Sequence, residues 1–200
     1  MAITIDYYFT PQSPWTYLGH TRFTDMARQA GATVRVLPAD YSKVFPISGG
    51  LPLGQRAPQR QAYRLMELKR FSESLQLSLH IKPAFFPVAG DDAARLIIAV
   101  DQQDGAEVAM RLSAAVFKAV WAEERNIADA AVLAQLLVEQ GLSAQRLAQS
   151  CSPDVQQRYE GNTQQAIDAA VFGAPSYVID GEIFWGQDRL EFVAKKLATK

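Results

Sequence analysis

Ser13, in the stretch FTPQSPWTYLG (residues 9–19), stands where a strand-like run gives way to a helix-like pattern. Its hydroxyl has an ordinary use there, capping the free N–H groups of a first helical turn, with Pro14 next, where a missing N–H matters least. The same geometry has a chemical use. A hydroxyl and the positive end of a helix both stabilise a nearby thiolate and lower its pKa. The thiol would have to come from another molecule, because Cys151 is the single cysteine of the chain. That count excludes an internal disulfide, a CxxC redox pair and a cysteine-rich zinc site. A serine-hydrolase reading is poorer: TPQSPWT is not a GxSxG elbow, and the two histidines, His20 within the first helix and His80 near a strand or loop, read as structural or surface groups.

Three further segments carry residues of chemical interest. FGAPSYV places Pro175 just before a hairpin signal, where an ordinary turn is the plain reading. FWGQDRL puts Gln187 and Asp188 at the start of a helix. There Asp188 serves equally as a cap or as an acceptor for an ammonium, beside N–H donors suited to a carboxylate. Arg189 reads as a buried structural ion-pair partner. The Gly- and Pro-rich run DYSKVFPISGGLPLGQRAPQR (residues 40–60) reads as a mobile loop, with Lys43, Arg56 and Arg60 as candidate carboxylate ligands or simply solvated charges. Phe117, Trp121, Phe71 and Tyr63 have helical placement and read as core, with one or two free to line an apolar pocket. Glu123 and Glu124 read as a solvated helix end, and Cys151 as a small apolar residue near another.

The elements that must position these residues follow from periodicity. Ile3, Ile5 and Tyr7 alternate with polar neighbours, a helix is predicted over residues 14–30, and Val34, Val36 and Pro38 mark a second strand. Helical spacing recurs over residues 58–77, 93–100, 107–121 and 132–140, with further helices at 143–151 and 153–171. PSYVIDGEIFWG then gives a hairpin about Asp180-Gly181, and a last helix from near Asp188 ends in Lys195, Lys196 and Lys200, charges that suit its negative end. The order implies an α/β chain: a thioredoxin-like fold from residues 1–41 and 172–200, interrupted by a large all-helical insertion at 42–171. Its 200 residues, 48% hydrophobic, suffice for a normal core, and a formal charge of -1 without basic runs disfavours nucleic acid. No apolar run is long enough to span a bilayer, and MAITIDYYF lacks the basic and apolar regions of a leader, so a cytoplasmic protein is expected.

DYYFTPQSPWTYLG, GGLPLGQRAPQRQAYRLMELKRFSE, VFKAVWAEERNIAD and VFGAPSYVIDGEIFWGQDRL together resemble the 2-hydroxychromene-2-carboxylate isomerase family. These enzymes are relatives of kappa-class glutathione transferases and of the DsbA thioredoxin-fold group. The likeness runs over essentially the whole chain in the same order, and it implies bound glutathione and a homodimer. By that resemblance Ser13 would donate to the glutathione sulfur. Pro175 would be cis, with the Ala174 backbone pairing with the cysteinyl unit. Gln187 and Asp188 would hold the γ-glutamyl end, and Arg60 would stand where the transferases carry a lysine. Lys43, Arg56 and Trp15 fall to the substrate side. The chain departs from better-understood members at Gly49 or Leu51, where those carry an asparagine that touches ligand. The implied reaction is reversible thiolate addition that interconverts 2-hydroxychromene-2-carboxylate and trans-o-hydroxybenzylidenepyruvate, a step of naphthalene-type degradation, or acts on a related aromatic keto acid or other electrophile. The alternatives are a kappa-like transferase or peroxidase that consumes glutathione, and a glutathione-binding module without chemistry.

Overall fold

The computed structural model describes residues 3–199, so Lys200 lies outside the described residues. Strand β1 (Thr4–Phe9) continues two residues beyond the alternating run, because Tyr8 and Phe9 each find a buried face of the sheet. Helix α1 (Pro14–Gln29) follows, then β2 (Thr33–Pro38), parallel to β1 with Tyr7 opposite Val36. At the other end of the chain, β3 (Ser176–Ile179) pairs antiparallel with β1, Tyr7 opposite Tyr177. β4 (Glu182–Trp185) pairs antiparallel with β3. Asp180 and Gly181 close that hairpin with φ of 51° and 80°. Two successive positive values define the turn whose twist suits a two-residue hairpin. The sheet order is β2-β1-β3-β4.

Residues 40–60 correct the expectation of a loop. Helix α2 (Tyr41–Ser48) is capped by Asp40, whose carboxylate accepts from Ser42 N at 2.9 Å, and it ends on Gly49 at φ 76°. Pro46 and the Gly49-Gly50 pair mask that helix in the sequence. A single 3-10 turn (Leu53–Gln55) leads into α3 (Pro58–Ser74). α4 (Asp91–Asp104), α5 (Ala106–Trp121), α6 (Ala130–Glu139), α7 (Gln145–Gln149) and α8 (Pro153–Asp168) follow, the last stopping short of the expected residue 171. A 3-10 turn (Gln187–Arg189) then starts α9 (Leu190–Ala198). None of these helices is long and apolar enough to cross a membrane.

Strand alternation distributes the helices over two faces. Ile5, Tyr7 and Phe9 pack with Phe23 of α1, with α4 to α6, and with Val193 of α9. Tyr8, Leu37 and Val178 face the opposite way, against Tyr41 and Val44 of α2 and Ala166 of α8. Each such fully buried side chain contributes about 1.5–3 kcal/mol of hydrophobic stabilisation. One buried polar chain ties the first face together: the Tyr7 hydroxyl donates to His20 Nδ1 at 3.0 Å, and His20 Nε2 donates to Met110 O at 2.9 Å. A carbonyl can only accept, so Nε2 carries the proton. Burial holds the His20 pKa down at about 4, and the ring is neutral.

Candidate active site

Ser13 is the N-cap of α1. Its backbone is extended (φ -76°, ψ 120°), its Oγ accepts from Thr16 N at 3.2 Å, and its own N–H donates to Thr10 O at 3.0 Å. The residue is only 7% exposed. Capping uses the oxygen as an acceptor and leaves the O–H proton free to donate, so the structural and the chemical readings of this serine are compatible. Trp15, two residues on, faces the neighbouring cavity and sets its ring edge-on to Phe71 of α3 at 6.1 Å.

That cavity has a volume of about 510 Å³. One wall is built largely from backbone and tightly held side chains. The Ala174–Pro175 peptide is cis, and Pro175 O accepts from Gly186 N at 2.9 Å. Gly173 O accepts from Tyr41 Oη at 3.0 Å and Ser176 Oγ at 2.7 Å, fixing the approach to Ala174. Gly173 itself lies under the Trp185 indole, where a Cβ would meet Nε1 at 2.2 Å, so a larger residue would displace that ring. Gln187 is buried. Its side-chain oxygen accepts from Arg22 Nη2, and its backbone oxygen accepts from the same nitrogen at 3.1 Å. It packs over Gly19, where an added Cβ would stand 2.8 Å from Gln187 Cβ. The Gln187 Nε2 amide is left buried, without an acceptor among the described residues. Asp188 reaches the rim, paired with Arg189 at 2.7 Å.

The opposite wall is α3 and its approach: Arg56, Gln59, Arg60, Tyr63, Arg64, Glu67 and Phe71. Arg56 Nε donates to Leu51 O at 2.8 Å, and Glu67 accepts from Arg70 at 2.6 Å. Burial and the neighbouring Arg60 lower the Arg56 pKa; burial and Arg56 lower that of Arg64 to about 10. Both stay cationic at neutral pH. The site is thus a half-open aromatic cleft with an excess of guanidinium on one side and a backbone-built anchor on the other.

Of the residues singled out from sequence, Trp15, Arg56, Arg60, Ala174, Gln187 and Asp188 line this cavity. Ser13 and Pro175 sit beside lining residues rather than on the wall itself. Lys43 is exposed on α2 and Leu51 is also exposed, and neither is brought to the cavity. Arg189 is not a buried ion-pair partner but an exposed one, its side chain 52% accessible. Tyr63 and Phe71 line the cleft, whereas Phe117 and Trp121 are core. Glu123 lies exposed just past the end of α5, where it pairs with Lys118 at 2.8 Å and Arg125 at 3.3 Å. Cys151 is exposed. Sequence reasoning missed Gln59, Arg64, Glu67 and Trp185. Arg60 and Arg64 are four apart on α3, a spacing that puts both on one helical face and was there to be read.

The residues present fit glutathione. The Ser13 hydroxyl has a proton to give a sulfur, and Ala174 presents backbone at the cavity. The orphaned Gln187 amide is a donor for a carboxylate, Asp188 is an acceptor for an ammonium, and Arg60 is a cation with no ion-pair partner among the described residues.

Residues 4–198 match the family described as a DSBA-like thioredoxin domain. The chain is 30% identical to a 2-hydroxychromene-2-carboxylate isomerase of Sphingobium xenophagum over 199 residues, covering 98% of this chain and 99% of that one. It is 30% identical to a protein of the same name from Pseudomonas putida, covering 93% and 90%. A solved selenomethionine structure of 2-hydroxychromene-2-carboxylate isomerase superposes with a TM-score of 0.82 at 26% identity, covering 98% of this chain and 95% of that one.

Proposed function

Since the chain belongs to the DsbA-like thioredoxin-domain family, and within it to the 2-hydroxychromene-2-carboxylate isomerases, we propose that it is a glutathione-dependent isomerase of this type. The isomerase assignment follows from full-length likeness to the enzymes of that name; the use of glutathione is our reading of the cavity. The observation that carries it is Ser13: a nearly buried hydroxyl whose oxygen caps α1 while its proton stays available, in a thioredoxin-like site that has serine and no cysteine. Bound glutathione would supply a thiolate that adds reversibly to an electron-poor double bond, so that the bond rotates before the thiolate leaves.

The chain's own residues do the rest. Ser13 and the positive end of α1 hold the sulfur ionised. The Ala174 backbone, Gln187, Asp188 and Arg60 hold the tripeptide. Trp15, Tyr63 and Phe71 enclose a planar arene and keep water from it. The substrate in this reading is 2-hydroxychromene-2-carboxylate, interconverted with trans-o-hydroxybenzylidenepyruvate, or a closely related keto acid of aromatic catabolism. A cytoplasmic homodimer completes the proposal. The homodimer would cover the exposed apolar residues Ile47, Leu51 and Met66 on and around α2 and α3.

Turnover stoichiometry tests it. With catalytic glutathione, the benzylidenepyruvate and chromene forms should interconvert for many turnovers with the glutathione recovered intact. One glutathione lost per product would make the enzyme a transferase or peroxidase instead.

A further inference from the structure

Arg56, Arg60 and Arg64 stand apart from the other charges of the cavity because no carboxylate answers them. Glu67 is taken by Arg70 at 2.6 Å and Asp188 by Arg189 at 2.7 Å. Arg56 donates to a single backbone oxygen, and Arg60 and Arg64 make no hydrogen bond or ion pair to the described residues. Arg64 is the most enclosed of the three. Its guanidinium lies 5.2 Å from the Phe86 ring and 5.8 Å from that of Trp121, on the same helical face as Arg60. Adjacent cations in a partly dry cleft raise one another's energy until anions arrive.

Charge balance then separates their roles. With the thiolate met by Ser13 and the positive end of α1 and the ammonium by Asp188, glutathione brings two carboxylates to three guanidiniums. The third must be met by the second ligand. We infer that Arg64 receives the carboxylate of the aromatic electrophile and so determines substrate specificity, while Arg56 and Arg60 serve glutathione; this rests on the glutathione reading above. The geometry agrees. Phe71 and Trp15 wall the cleft beside Ser13, and Arg64 lies two turns back along α3, about 10 Å along the helix axis. That is the span of an arene carrying an unsaturated keto-acid side chain. A planar guanidinium offers two parallel N–H donors to a carboxylate, and flanking rings hold its plane fixed.

The test compares trans-cinnamate with its methyl ester, as competitors for the cavity in the presence of saturating S-methylglutathione, for the wild type, Arg64→Gln and Arg64→Lys. The wild type should prefer the acid over the ester by roughly 10- to 100-fold. Arg64→Gln should lose that preference by weakening the acid alone, with the Kd for S-methylglutathione changed by no more than about twofold. Arg64→Lys keeps the charge without the fork and should retain an intermediate preference, which guards against reading a misfolded glutamine variant as a lost contact. An acid preference that survives in Arg64→Gln, or a loss that falls on S-methylglutathione instead, overturns the assignment. Should the wild type bind no S-methylglutathione, the glutathione reading falls. The acid–ester preference measured without it still decides Arg64: its loss in Arg64→Gln supports a carboxylate site and its persistence refutes one.

Discussion

The two walls of the cavity are built on opposite principles. On the sheet side, Gln187 is held by Arg22 and by close packing over Gly19, and Gly173, which leads into Ala174, accepts from Tyr41 and Ser176. On the α3 side, three arginines project with no carboxylate partner among the described residues. A wall with its hydrogen bonds already made suits a ligand that always docks the same way, and a wall of unmet charge gains most when an anion enters. On the proposed reading the first wall would take the cofactor's peptide backbone and γ-glutamyl end, and the second its remaining carboxylate together with the substrate's.

Removing the Ser13 hydroxyl, beside the lining residue Trp15, has the largest expected effect. Ser13→Ala should lower kcat for isomerisation by about 100-fold, the usual cost of losing one donor to developing or resident negative charge, while KM for the aromatic substrate stays nearly constant. Steady-state kinetics at saturating glutathione measures it.

Acid acts next, on the fold that carries both walls. The buried Tyr7–His20–Met110 chain ties β1, α1 and α5 together, and the folded His20 pKa of about 4 lies below its unfolded value of about 6.5. Between those values the unfolded state binds the proton and the folded state does not. Stability should therefore fall as pH drops from about 6.5 to about 4, by about 3 kcal/mol in total, and level off below. Denaturant melts across that range report it, and His20→Gln should flatten the slope.

Smaller effects distinguish fixed from unmet contacts. Arg22→Ala strips the donor from both Gln187 oxygens and should cost about 1–2 kcal/mol of stability, with weaker glutathione binding as the 187–188 turn loosens. Arg60→Ala, on the other wall, should leave the melting temperature unchanged and weaken glutathione roughly tenfold. Equal loss of stability in the two variants would erase the distinction between the walls.

Much of this was legible in the chain. Alternation in Ile5, Tyr7 and Val36, the Asp180-Gly181 turn and the Ser13-Pro14 helix start are local signals, and local rules give the βα unit and the hairpin that frame the site. The α3 wall was harder. Arg56 precedes the helix across Pro58, so no single period joins it to Arg60 and Arg64, and only the packing of α3 over Trp15 turns them inward. Helix α2 was hidden by Pro46 and two glycines, although Asp40 followed two residues later by an N–H donor was a cap in plain view. Arg189 was misread because burial depends on the fold, and there it lies on the rim beside Asp188.

The central claim is that Ser13 holds a cofactor thiol ionised rather than merely capping α1. The most direct test is the thiolate absorbance of protein-bound glutathione as a function of pH, in the wild type and Ser13→Ala. The account predicts a bound thiol pKa well below its free value in the wild type, returning most of the way toward that value in the variant. The same pKa in both proteins would contradict it and leave Ser13 as a helix cap.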